Sequence, residues 1–199
     1  MKGVLPLLAI CSLGVAWPVV ASESCAAIAD NTRRLACYDM EYRPATTVSV
    51  SSKWDVSESV SRIDDSKSVT LYLTSDDTFP GKYSRGRESA TLIVRCLENT
   101  TSAYFRFGDH FLADIEGYGR ITYRIDDAEA RTESFRESTN HQALGLWRGG
   151  QAIPFIKRMM EGDAMVVRAT PYNESSITTT FTIAGLSDAV VPLREACGW

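Results

Sequence analysis

The sequence predicts a mainly β protein, an antiparallel β-sandwich with a small disulfide-stapled helical element at its N-terminus and one or two short helices. Three observations carry this. Apolar residues alternate with Thr, Tyr and Ser at period two in many short runs, as in half-buried strands. Gly, Asp, Asn and Ser turns separate about seven or eight such runs, too closely spaced for helical crossovers between parallel strands. The cysteines are few and widely placed, as structural bridges are in an exported chain.

The elements follow in order. Residues 1–21 read as a secretory signal: Lys2 opens it, Val4 to Val15 is apolar, and Val19-Val20-Ala21 offers small residues for cleavage after Ala21. The apolar run is too short to cross about 30 Å of hydrocarbon as an anchor. Cys11 does not suit a lipoprotein cleavage site, because bulky Ile10 precedes it. Cleavage removes Lys2 and Cys11 and leaves Cys25, Cys37, Cys96 and Cys197. Four cysteines allow three connectivities. The parsimonious one pairs Cys25 with Cys37, twelve residues away in a helical segment, and Cys96 with Cys197. Residues 22–42 form the helical hairpin, rich in Ala, Leu and Arg and broken at Asp30-Asn31-Thr32, which carries its own cap. Helices this short are marginal in water, so a covalent staple has a physical purpose. Residues 43–52 are a polar linker and 53–199 the sandwich domain.

Within that domain Val69, Leu71 and Leu73 alternate with Thr70, Tyr72 and Thr74. Leu92 to Leu97 is apolar enough for a central strand. Ala103 to Phe107, Ile121 to Ile125, Met165 to Ala169 and Thr178 to Ile183 complete the clearest strands. Ala152 to Met160 has helical periodicity, with Pro154 expected in the first turn and Gly162 as the stop. Leu186 to Ala196 reads as one or two helical turns around Pro192.

Composition narrows the function. The 199 residues carry 21 Lys and Arg against 25 Asp and Glu, a net charge of −4. No basic surplus exists to neutralise phosphates, which argues against nucleic acid as a partner. Two histidines restrict histidine-based catalysis and metal binding. Ser138 or Ser66, His141 or His110, and Asp126 or Asp109 could be combined on paper into a triad, but no G-x-S-x-G elbow fixes one. No catalytic residue, metal ligand or cofactor is assigned. The possible binding face gathers Arg124, Asp126, Ser138, Thr139 and His141. Arg124 and Asp126 are two apart, so on a strand they share a face, either as a guanidinium clamp or as an ion pair on a solvated sheet. The acidic doublets Asp64-Asp65, Asp76-Asp77 and Asp126-Asp127 fall at expected strand ends, where turn formation competes with calcium binding. Trp54, Trp147, Trp199, Tyr104, Phe105, Phe107 and Tyr123 are expected to fill the core, and Trp199 to pack over the terminal bridge.

An ordered set of segments carries a resemblance. These are Arg33-Arg34-Leu35-Ala36-Cys37-Tyr38-Asp39, Ile63-Asp64-Asp65-Ser66, Leu92-Ile93-Val94-Arg95-Cys96, Tyr123-Arg124-Ile125-Asp126, Ser138-Thr139-Asn140-His141-Gln142-Ala143, and the closing Cys197-Gly198-Trp199. The set resembles the VasI/TagO family of type VI secretion-associated proteins over nearly the whole mature chain. The resemblance implies a periplasmic accessory protein of Gram-negative bacteria, with no enzymatic residues to carry over. A protein or cell-envelope component is then the expected partner. The alternatives are a hydrolase directed at peptidoglycan, using His141 or His110 with Asp126, and a carbohydrate- or calcium-binding module.

Overall fold

A computed structural model of the chain describes residues 25–42 and 52–199. The expected signal at 1–21 and nearly all of the linker at 43–52 lie outside the described residues. The chain divides into two compact units, Met1–Val48 and Ser49–Trp199.

In the first unit, helix α1 spans Asn31–Tyr42. Asp30 starts it: its Oδ1 accepts the Arg33 N–H at 2.9 Å and its carbonyl accepts the Arg34 N–H at 2.9 Å, the action of an N-cap residue. The Cys25–Cys37 bridge joins this helix to the short turn before it, with Cα atoms 5.6 Å apart.

Among the described residues, the second unit holds ten strands in two antiparallel sheets. The strands are β1 Asp55–Val60, β2 Lys67–Pro80, β3 Arg87–Leu97, β4 Thr100–Phe107, β5 Arg120–Ile125, β6 Arg131–Ser134, β7 Arg136–Glu137, β8 Leu144–Leu146, β9 Ala164–Ala169 and β10 Ile177–Thr182. The larger sheet runs β1-β2-β3-β4-β8-β7 and the smaller β10-β9-β5-β6. Glu98 and Asn99 alone join β3 to β4, and both have positive φ, 48° and 56°. Two such residues mark the type I′ hairpin turn, whose twist suits the flanking strands.

The inner faces follow the period-two pattern. Leu71, Leu73, Leu92, Val94 and Phe105 face the core from the larger sheet, and Ile121, Val167 and Phe181 from the smaller. Helix α2, Gly149–Met159, presses Ala152, Phe155, Ile156 and Met159 into the same core. Pro154 sits inside this helix rather than in its first turn, because the helix starts three residues before Ala152. The hydrogen bond that Pro154 cannot make would reach back only to Gly150, within the first turn. Helices α3, Leu186–Ala189, and α4, Val191–Cys197, divide the C-terminal segment, with Pro192 at the start of α4 where a missing N–H costs nothing. The Cys96–Cys197 bridge ties α4 to the central strand β3.

The acidic doublet Asp76-Asp77 departs from expectation. It lies within β2, where the register shifts between Thr74 and Thr78, rather than at a strand end. Asp77 accepts the Thr180 N–H at 3.1 Å, and Asp76 accepts from Lys53 at 2.6 Å and Thr182 at 2.8 Å. The irregularity turns two carboxylates onto the edge strand β10 and occupies backbone that would otherwise be open to another chain.

Candidate functional site

The residues expected to form one binding face separate. Asp126 is not on the strand with Arg124: β5 ends at Ile125, and Asp126 takes a positive φ of 46°. Its carboxylate accepts the N–H groups of Asp163, at 3.2 Å, and Ala164, at 2.9 Å. It therefore pins the turn into β9 and forms neither a clamp nor an ion pair with Arg124. Gly162 is required beside it, since a Cβ there would meet Asp126 Oδ2 at 2.7 Å and Ile125 at 2.2 Å. Arg124 lies on the outer side of the smaller sheet, near Val166 and Arg168. Ser138 and Thr139 line a cleft on the larger sheet. His141 stacks on Phe111, with centroids 4.6 Å apart, and its Nδ1 lies 3.0 Å from Glu137.

The second histidine is committed too. His110 is buried, with Nδ1 2.8 Å from Glu174 Oε2 and Nε2 3.0 Å from the Pro80 carbonyl. Neither histidine hydrogen-bonds a serine, so no triad forms. Lys82 donates to the other oxygen of Glu174 at 2.7 Å, and Asp109 accepts three successive backbone N–H groups, of Lys82, Tyr83 and Ser84. Together these hold the loop between β2 and β3. Burial opposes ionisation of Glu174, but the hydrogen bonds from Lys82 and His110 hold its carboxyl below the ordinary value of 4.5. A carboxyl depressed in the folded state adds stability above its unfolded pKa and loses it as pH falls through the folded value. Replacing Glu174 with Gln should therefore cost about 1 kcal/mol at neutral pH, discounted for its partial exposure. The gap between variant and parent should narrow progressively below pH 4.5. Melting temperatures of both across the acid range measure this.

A second polar network closes on itself. Tyr123 donates to Glu133 at 2.7 Å and accepts from Arg158 Nε and Nη2 at 3.1 and 2.8 Å, while Arg158 also reaches Glu133 at 2.7 Å. Burial, with the Glu133 carboxylate, pushes the Tyr123 phenol up to about 12. It stays protonated and acts as a strut beneath a cleft of about 330 Å³ lined by Glu129, Arg131 and Glu161.

The outer face of the larger sheet is different. Its register sets Tyr72, Ile93, Tyr104 and Gly145 in one row across four strands. Gly145 leaves room for the Trp147 ring to lie on the sheet: a Cβ there would meet the indole at 2.6 Å. The indole Nε1 donates to the Arg136 carbonyl at 2.9 Å, and its ring centroid is 5.0 Å from that of Tyr104. Arg95 lies over the other aromatic, 5.6 Å from the Tyr104 centroid. These side chains, with Arg106 and the loop 138–143, line a cleft of about 400 Å³. Tyr104 and Trp147 thus form a platform outside the core, whereas Phe105, Phe107 and Tyr123 fill it. Trp199 packs against the core at the terminal bridge and donates to Thr101 at 2.9 Å. Arg95 and Arg106 were not singled out as site residues. Their outward positions follow from strand alternation, but which strands lie side by side does not.

A family model described as Type VI secretion system VasI, EvfG, VC_A0118 matches residues 24–199. The chain belongs to this family. The VasI assignment spans both bridges, Cys25–Cys37 and Cys96–Cys197, and the whole sandwich. No curated protein matches the sequence. Among solved structures, the fold is similar to the crystal structure of invasion associated protein B from Bartonella henselae, at 9% identity and a TM-score of 0.48, covering 74% of this chain and 96% of that one. The chain has no helix among its described residues long and apolar enough to cross a membrane. Nor do its described residues hold a cluster of three His, Cys, Asp or Glu side chains placed for a metal ion.

Proposed function

We propose that the chain is exported to the periplasm of a Gram-negative cell and serves type VI secretion as a non-enzymatic accessory protein. It binds a protein or cell-envelope partner through the outer face of the larger sheet. One observation carries this reading: His110 and the best-placed carboxylates are spent on structural bonds, while among the described residues two arginines of the outer face have no carboxylate partner. Two disulfides, stable only where thiols are oxidised, support export. Membership of the VasI family supports the secretion role. A hydrolase would need a nucleophile beside a free base; His110 has both ring nitrogens engaged, and the His141 ring, held by Glu137, hydrogen-bonds no serine. A photo-crosslinking residue at Thr139, in the cleft, tests the proposal in cells, with Glu129 as control site. The expected result is a discrete adduct in the envelope fraction from Thr139 and none from Glu129. Identical adducts from both positions, or none from either, would contradict it.

A further inference from the structure

The cleft on the outer face has the chemistry of a particular ligand. Arg95 and Arg106 both line it, and its loop side is supplied by Ser138, Thr139, Asn140 and Gln142, none of them acidic. Among the described residues neither arginine has an ion-pair partner, in a chain that is acidic as a whole. Arg95 Nε is shut off from solvent with no hydrogen-bond acceptor, and so is the hydroxyl of Ser102, its register partner on β4. Two unsatisfied polar atoms at adjacent positions are costly to bury. Neither atom is itself open to the cleft: Arg95 lines it through the rest of its side chain, and Ser102 does not line it. The rings of Tyr104 and Trp147, with centroids 5.0 Å apart and planes tilted by 31°, add an aromatic surface beside these charges.

Two guanidinium groups that flank Tyr104, neither with a carboxylate partner among the described residues, favour an acidic ligand. An aromatic platform favours a flat ring with apolar C–H faces. A rim of hydroxyls and amides favours a ligand bearing several hydroxyls. The loop is also preorganised: Ser138 Oγ accepts the N–H groups of Gln142 and Ala143 at 3.2 and 3.0 Å and donates to Asn140 at 2.8 Å. Little ordering then remains to be lost on binding. We infer that this cleft binds an acidic saccharide, with the sugar ring on Trp147 and Tyr104 and its carboxylate on Arg95 and Arg106. This deepens the envelope-facing reading and rests on it.

The test is titration calorimetry on the mature, oxidised chain. The probes are N-acetylmuramic acid, glucuronic acid, neutral N-acetylglucosamine, sulfate and a glutamate-rich peptide. The expected result is saturable binding of at least one acidic sugar, about tenfold or more tighter than the neutral sugar or sulfate. Preference between the two acids separates a peptidoglycan source from a uronate-bearing polysaccharide. Arg106→Gln, at an exposed position, should weaken the acidic sugars about tenfold and leave the weak binding of the neutral sugar unchanged. Arg95→Gln gives a second, independent reading, with circular dichroism checking that both variants fold. Neutral sugar or sulfate binding as tightly as the acids, the peptide binding alone, or no binding to any probe would overturn the inference. If binding fails while the chain is found in the periplasm, only the ligand assignment falls. If the chain is not exported, the functional reading falls, whatever the calorimeter shows.

Discussion

Replacing Cys197 with Ser should lower the melting temperature of the oxidised chain by roughly 10–20 °C. The bridge joins residues 101 apart. A closed loop of about 100 residues is worth roughly 4–5 kcal/mol in the chain-entropy model, and a domain of this size loses about 2–4 °C per kcal/mol. The position adds to the effect. Cys96 is fully buried in β3, between the two longest strand pairings of the larger sheet, and α4 has seven residues, too few to stand alone. Without the bridge α4 keeps the seat of Leu193, the packing of Ala196 and Trp199 against the core, and the Trp199 hydrogen bond to Thr101. Reduction of the parent chain should reproduce most of the loss, since Cys96 can remain buried as a thiol. Scanning calorimetry of the oxidised parent, reduced parent and Cys197→Ser variant measures it. A loss below about 3 °C would show that α4 docks without covalent help.

Phe105→Ala should cost about 3–5 kcal/mol. Phe105 is fully buried and stands where every layer of the sandwich meets. Its ring centroid lies 6.3 Å from Phe107 on the same strand, 5.8 Å from Phe135, 6.1 Å from Phe155 on α2, and 5.8 Å from Phe181 on β10. Truncation removes the packing of four rings at once and leaves a cavity that two sheets and a helix cannot all move to close. The exposed Val60→Ala on β1 should stay within about 0.5 kcal/mol. Urea unfolding at neutral pH compares them. A loss for Phe105→Ala no larger than that of Val60→Ala would mean that the rings are loosely packed and that the core is held elsewhere.

The fold was legible where the chain obeys local rules. Period-two alternation marks β2, a run of apolar residues marks β3 as central, and Phe105 is expected in the core, where it lies. Asp30 signals a helix start by its residue type, and the cysteine spacing favours the pairing found. The misreadings came where a side chain does something nonlocal. Pattern alone extends β5 through Asp126; only the fold shows Asp126 turning back to hold the start of β9. The doublet Asp76-Asp77 looks like a turn because its donors, Thr180 and Thr182, lie about a hundred residues away. The cleft was half legible. Ser138 and Thr139 stood out within a polar loop, but Arg95, Arg106 and Trp147 come together only through the register of β3, β4 and β8. Tyr104 and Trp147 looked like core residues because residue type does not tell which face of a sheet they occupy.

Everything proposed for this chain depends on its being an exported scaffold held by oxidised struts. Mass spectrometry of the chain recovered from the periplasm, alkylated under denaturing conditions without reductant, tests that directly. The account predicts a polypeptide beginning at Ser22 whose four cysteines take up no alkylating agent until reductant is added. A chain that retains residues 1–21, or one whose Cys96 and Cys197 are alkylated at once, would contradict it.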